Sequence, residues 1–224
     1  MNWRWIETPA IDASTNMAVD QALLENSINI RQPLIRFYSW EGKPASFGYF
    51  QKFSDVLKMT QLRPLVRRPT GGGVVEHASD WTYSVIIPKS HEWWSITAEQ
   101  SYERIHKWCR DSLMSIGVSA SLAPEKDSSG PGSCFIGAEK DDLLSGGKKI
   151  GGAAQRRNKN GLLIQGSIQT SASPELKAHW INAMVTQPNN TFERWLDWES
   201  QSISKRIKEL SEHKYSAGAF TMKR

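Results

Sequence analysis

Three stretches of this chain carry residue types that could do chemistry. The first is Arg67-Arg68-Pro69-Thr70-Gly71-Gly72-Gly73, with His77 a short way on. Three successive glycines disfavour any regular element, each costing roughly 0.5–1 kcal/mol against alanine. Such a run is useful where backbone must approach a ligand or take positive φ, and its exposed amides can form an anion-binding nest. No Gly-Lys-Ser/Thr follows, so the run is not a nucleotide P-loop, and no GxGxxG occurs. A plain tight turn is the alternative, and the flanking Arg68, Thr70 and His77 favour a site. The second stretch is Lys148-Lys149-Ile150-Gly151-Gly152-Ala153-Ala154-Gln155. Strand alternation puts Lys149 on one face with Gly151, Ala153 and Gln155, and Ile150, Gly152 and Ala154 on the other. A lysine beside very small side chains leaves open volume, as a ligand groove would. On spacing alone, however, a lysine on an edge strand is expected to be solvated. The third stretch is Ser128-Ser129-Gly130-Pro131-Gly132-Ser133-Cys134-Phe135, a loop off any apolar face. A loop thiol near a cation would have a lowered pKa and could act as a nucleophile. A loop cysteine without a role is the other reading, and spacing does not decide between them.

Other constellations carry less. His77 and Asp80 would fit a Ser–His–Asp system, but no nucleophile-elbow pattern accompanies them. The remaining histidines are scattered and metal-ligand spacing is absent, so no metal site is expected. Cys109 falls with Ile105 and Leu113 at i, i+4, i+8 and is expected in the core as a small hydrophobe. The basic pairs Arg67-Arg68, Lys148-Lys149, Arg156-Arg157 and Lys205-Arg206 are expected on solvated faces.

The elements that must position these residues follow from pattern. A helix is expected over 14–26, capped by Asp12 or Ser14. Strands are expected over 34–40 and 45–51, at 65–69 leading into the glycines, and over 80–88 as a central strand ended by Pro88. Thr97 and Gln100 form a capping-box pattern ahead of a helix over 97–116, stopped by Gly117. Residues 139–168 read as a three-stranded meander, turning at Ser145-Gly146-Gly147 and at Asn158-Lys159-Asn160-Gly161. Two further helices follow, one begun by Ser173-Pro174-Glu175 and one marked by Ile203, Ile207 and Leu210. Strands and helices mix without strict βαβ alternation. The expectation is therefore an α/β (α+β) fold with a mixed, largely antiparallel sheet flanked by helices, as a single domain over residues 1–224.

Composition bounds the partners. The chain has 224 residues, 39% of them hydrophobic, and a net charge of +5. That is ordinary for a globular protein and excludes disordered and collagenous classes. No apolar run approaches the roughly 20 residues a membrane helix needs, and no secretory signal precedes the first element, so no membrane association is expected. Two cysteines make no disulfide framework, which fits a reducing cytoplasm. No zinc-finger spacing, aromatic RNP-like motif or long basic run points to nucleic acid. The mild positive charge suits acidic protein partners.

The three stretches together carry a resemblance. RRPTGGGVVEHASDWTYSV resembles the glycine-rich signature of the biotin/lipoate protein ligase superfamily, and GGKKIGGAAQRR followed by GLLIQGSI resembles its lysine motif and the strand after it. SCF ahead of the lysine resembles the loop of the cysteine-dependent (LipM-type) octanoyltransferases. NMAVDQALL and PASFGYFQ also fit, so the likeness runs from about residue 3 to 220. The chain departs from that branch at Gly73, where arginine is frequent, at Gln165, where histidine is frequent, and at Ala78, in place of an acidic residue. The resemblance implies a two-layer fold like the catalytic core of biotin ligases and class II synthetases. It implies an acyltransferase of protein lipoylation, in which Cys134 takes octanoyl from acyl carrier protein as a thioester. A lysine of a lipoyl domain, in a 2-oxoacid dehydrogenase or the glycine cleavage H protein, then receives it. Lys149 would lie in the acyl site. Arg68, Thr70, Gly71, Gly72, Gly73 and His77 would shape the groove, and Gly151, Gly152, Ala153 and Ala154 would line its wall. No cofactor is implied. The alternatives are a lipoate–protein ligase of the lipoate–protein ligase A kind, which would use ATP and Mg to form an acyl-adenylate, and a non-catalytic acyl-binding paralogue.

Overall fold

The computed structural model describes residues 2–125, 137–170, 173–186 and 190–223. In chain order it comprises β1 (Asn2–Ile11), α1 (Ala13–Glu25), α2 (Ser27–Ile30), β2 (Leu34–Trp40), β3 (Ala45–Phe47), α3 (Phe53–Met59), β4 (Leu65–Arg67), β5 (Val75–Glu76) and β6 (Trp81–Pro88). There follow α4 (Glu92–Ser95), α5 (Ala98–Ser115), β7 (Ser121–Leu122), β8 (Leu143–Ser145), β9 (Lys148–Arg157), β10 (Gly161–Ile168), α6 (Pro174–Met184), β11 (Thr191–Arg194) and α7 (Gln201–Leu210). A π-helical turn (Ser211–Tyr215) and α8 (Gly218–Thr221) end the described chain.

The main sheet runs β11-β1-β2-β6-β10-β9-β8-β7. Only β1 pairs in parallel, with β11 and β2; every other pair is antiparallel. The expected mixed, mostly antiparallel sheet flanked by helices is therefore what forms. A small sheet, β4-β3-β5, stands beside it and carries the chain into the glycine run.

The two faces of the main sheet have different work. One face packs under α5 and α6 through Tyr83, Val85, Ile105, Cys109, Leu162, Ile164 and Trp180. Trp180 is fully buried, stacked on Trp81 at 5.4 Å and edge-on to Phe37 at 5.3 Å. Its truncation to alanine would cost about 3–5 kcal/mol. The other face is covered by α1 and α7 through Ile6, Leu23, Leu34, Ile86, Leu163 and Ile203.

Local signals hold where they were clear. Asp12 caps α1 by accepting from Thr15 N–H at 3.0 Å. Thr97 and Gln100 make both bonds of the capping box on α5. Gly146 and Gly147 take φ of +55° and +76° in the β8–β9 hairpin. The strand expected over 45–51 stops at Phe47, because the chain turns at Gly48 to meet the glycine loop. Outside the expectation lie β1, β11 and α3, together with the short elements α2, β5, α4, β7, α8 and the π-helical turn. Among the described residues no helix is long and apolar enough to cross a membrane.

Candidate active site

Lys149 is not solvated. Its Nζ lies 2.5 Å from Asp142 Oδ2, with the lysine side chain 8% exposed and the carboxylate fully buried. A buried ion pair holds only when further hydrogen bonds satisfy both charges. Asp142 meets that demand: Glu139 N–H donates to Oδ2 at 2.7 Å, and the Tyr102 hydroxyl donates to Oδ1. Tyr102 oxygen in turn accepts the Ala153 N–H at 3.4 Å. Beside this group lies His106, one turn further along α5, its ring edge-on to Tyr102 at 4.1 Å. Burial, helped by the Lys149 charge, pushes the His106 pKa down to about 3, with the Asp141 backbone opposing.

Simple alternation fails at Lys149, and the reason is a bulge. Leu143 pairs with Gly151 but Leu144 pairs with Lys149, so Ile150 is the extra residue. Ile150 turns into the core under α5, and the Lys149 stem runs alongside Gly152. A Cβ on Gly152 would sit 2.9 Å from Asp142 Oδ1 and 3.3 Å from Lys149 Cε. Gly151 instead faces Leu143 and Ile168, and Ala153 packs on the main core. Of the four small residues expected along a groove, Gly152 and Ala154 share the face with Lys149, while Gly151 and Ala153 belong to the opposite face.

Across β10, Gln165 pairs with Ala154 and Ser167 with Gly152. These two polar side chains tie the same face to the other predicted stretch. Gln165 Oε1 accepts from Thr70 Oγ1 at 2.7 Å, and its Nε2 donates to Asp20 Oδ2 at 2.7 Å. Asp20 belongs to a closed buried network, 2.7 Å from Arg36 Nη1 and accepting from Ser84 and Tyr38. The glycine loop is thus bolted to α1 and the central strands.

The arginine pair ahead of the glycines is buried, against the solvated expectation. Arg68 turns inward and donates to the carbonyls of Gly71 (2.7 and 3.0 Å) and Gly73 (2.8 Å). Its guanidinium satisfies loop carbonyls, which leaves the loop's shape fixed. Arg67 donates to the carbonyls of Tyr49, Gln51, Phe220 and Thr221, bracing the C-terminal segment. Gly48 lets the loop close: a Cβ there would lie 1.9 Å from Gly72 oxygen. Gly71, by contrast, has nothing within 4 Å of its Cβ position. That open side is where a ligand can approach backbone.

His77 sits behind the loop. Nδ1 is 2.9 Å from Asp80 Oδ2, Nε2 is 2.8 Å from Ser46 Oγ, and Trp40 stacks on the ring at 3.9 Å. Burial alone would raise the Asp80 carboxyl. The His77 charge, with hydrogen bonds from His77, Ser167 and Thr82, outweighs it and holds Asp80 below the usual carboxylate range. Ser46, His77 and Asp80 thus line up as a nucleophilic triad would. Ser46 is 3% exposed, however, and its oxygen accepts from Arg68 Nη1 at 3.2 Å. The line is a brace between β3, the loop and β10.

Cys109 is fully buried, and burial raises its pKa to about 12, with a Tyr83 contact partly offsetting. It is a core thiol. Cys134 lies outside the described residues. Asp142, Tyr102 and Asp20 escaped sequence reasoning; the acid pair Asp141-Asp142 opening the lysine hairpin was the available signal for the first.

The glycine loop braced by Arg68 and Gln165 and the buried Lys149–Asp142 pair gather on one face of the main sheet. The chain belongs to the lipoyl protein ligase A/B catalytic domain family, whose model matches residues 12–218. It is 36% identical over 179 residues to Octanoyltransferase LipM of Brevibacillus brevis, covering 74% of this chain and 65% of that protein. It is 32% identical over 222 residues to Octanoyltransferase LipM of Geobacillus kaustophilus, covering 93% and 78%. The chain spans less than two thirds of the length of the Brevibacillus brevis relative and of two others, 64–66% of each. In fold it is similar to Ta0514, a putative lipoate protein ligase from T. acidophilum with bound lipoic acid (TM-score 0.79, 22% identity, 99% of this chain and 100% of that one). It is likewise similar to lipoate-protein ligase A bound with ATP (TM-score 0.77, 23% identity, 99% of each).

Proposed function

We propose that the chain is an octanoyltransferase of protein lipoylation. The Cys134 thiolate attacks the octanoyl thioester of an acyl carrier protein. The new carbon–sulfur bond forms as the carrier thiolate leaves. The amine of a lipoyl-domain lysine then attacks the enzyme thioester, an amide forms, the amine loses a proton, and the Cys134 thiolate is released. Cysteine suits both steps because its sulfur is a good nucleophile and a good leaving group. An ordinary thiol near pKa 8.5 is mostly protonated at neutral pH, so an adjacent ammonium favours the reactive form and the oxyanion of each tetrahedral intermediate. No cofactor enters either step.

The observation that carries this reading is the buried Lys149–Asp142 pair on the small-residue face of β9. Glu139, five positions after Cys134, donates its N–H to Asp142. Five residues span at most about 18 Å, so the thiol is within chain reach of the ammonium. The names borne by the LipM relatives support octanoyl as the acyl group. The basic balance of the chain suits the acidic surface of a carrier protein and a lipoyl domain as steering. The test is transfer from octanoyl carrier protein to a lipoyl domain without ATP. Loss of turnover in Cys134→Ala supports the reading. ATP-dependent loading of free lipoate, unaffected by Cys134→Ala, would replace it with a ligase, and absence of turnover on any lipoyl domain with a binding paralogue.

A further inference from the structure

We infer that Tyr102, on α5, is a positioning residue for the acyl-transfer step, acting on Lys149 through Asp142; the inference rests on the transferase reading of Lys149. Asp142 has two oxygens with separate duties. Oδ2 faces Lys149 Nζ and the Glu139 N–H; Oδ1 takes the Tyr102 hydroxyl. A carboxylate rotates about one bond, so fixing Oδ1 also fixes the direction in which Oδ2 draws the ammonium. Tyr102 is itself fixed at both ends. Its oxygen accepts the Ala153 N–H at the edge of β9, and its ring meets the buried His106 edge-on at 4.1 Å. The helix thereby sets the lysine relative to the strand that presents Gly152, without Tyr102 touching substrate. A charge-assisted hydrogen bond into a water-poor site is the kind whose loss is felt strongly, because the carboxylate has no solvent to replace it.

The decisive variant is Tyr102→Phe, which removes one hydroxyl and keeps the ring against His106. Transfer of octanoyl from carrier protein to a lipoyl domain is followed in wild type, Tyr102→Phe, Asp142→Asn and the double variant, with thermal unfolding in parallel. Expected is a fall in kcat of about tenfold in Tyr102→Phe with KM for either protein substrate nearly unchanged. The double variant is expected to be no slower than Asp142→Asn alone, since the hydroxyl acts on Lys149 through that carboxylate, while its bond from the Ala153 N–H bears on the strand and is read by the unfolding midpoint. A merely structural tyrosine would lower the unfolding midpoint without this pattern. Wild-type kcat in Tyr102→Phe, or multiplying losses in the double variant, overturns the inference. If Asp142→Asn does not fold, the split between kcat and KM in Tyr102→Phe decides alone. A Lys149→Ala variant separates the two levels. If it keeps wild-type turnover, the transferase role of Lys149 fails. If it is inactive while Tyr102→Phe is unimpaired, only the role of Tyr102 fails.

Discussion

Replacing Gly152 by alanine and Gly151 by alanine should have opposite consequences, although the two are neighbours on β9. The Gly152 methyl would sit 2.9 Å from Asp142 Oδ1, 3.3 Å from Lys149 Cε and 3.5 Å from Nζ. Carbon–oxygen contact is comfortable near about 3.5 Å, so the carboxylate must retreat by about 0.5 Å and carry the ammonium with it. Misplacing a reacting group by about 1 Å can cost about a hundredfold, so roughly half that shift predicts a loss of about tenfold in kcat. Stability should suffer little. The contacts are with side-chain ends, so the overpacking cost falls near the low end of about 1–3 kcal/mol and is largely offset by about 0.4–1 kcal/mol from the stiffer unfolded chain. The Gly151 methyl points the other way, 2.9 Å from Leu143 Cδ1 and 3.2 Å from Ser167 carbonyl oxygen. That carbonyl is sheet backbone and yields poorly, so Gly151→Ala should lower the unfolding midpoint by several degrees at about 2–4 °C per kcal/mol. The assays are steady-state octanoyl transfer and thermal denaturation on both variants. Equal activity losses in the two, or a stable and fully active Gly152→Ala, would refute the placement of Lys149 by the bulge.

Three further outcomes follow from the same geometry. Gly48→Ala forces a methyl to 1.9 Å from Gly72 oxygen, a backbone atom, so the glycine loop must open; chemical denaturation should show a loss above about 2 kcal/mol. His106 is neutral in the folded protein down to about pH 3, whereas the unfolded histidine takes its proton near 6.5. The unfolded state therefore binds the extra proton between those values, and stability falls as pH drops below 6.5, by up to about 1.4 kcal/mol per pH unit. His106→Leu should flatten that limb, and an unchanged slope would contradict the burial of the ring. Cys109, with its thiol pushed up to about 12, should resist iodoacetamide at pH 8 in the native protein, so peptide mapping should find alkylation at Cys134 alone.

Much of this was legible in the residues, and the gaps have physical causes. Helix α5 and the β8–β9–β10 meander were readable because caps, turn glycines and periodicity agreed. β1 was not, because its buried positions, Trp3, Ile6 and Thr8, are separated by charged and aromatic residues that break strict alternation. The edge strand β11 has a single partly buried residue, Phe192, and leaves almost no apolar signal. Residue types singled out Thr70, the glycine run and Lys149 as candidates. Its facing was missed because a bulge at Ile150 is invisible to a period-two rule. The burial of Arg67 and Arg68 was missed because their partners are backbone carbonyls, which no side-chain pattern records. Asp142 lies seven positions from Lys149 in a hairpin, a distance only the register of β8 on β9 can close.

The central claim is that acyl transfer passes through sulfur on Cys134. Intact-protein mass spectrometry after mixing with octanoyl carrier protein, without ATP, tests it most directly. The account predicts a single octanoyl increment on the wild-type chain, absent in Cys134→Ala and discharged when a lipoyl domain is added. An unmodified wild-type chain that nonetheless octanoylates the lipoyl domain would contradict it.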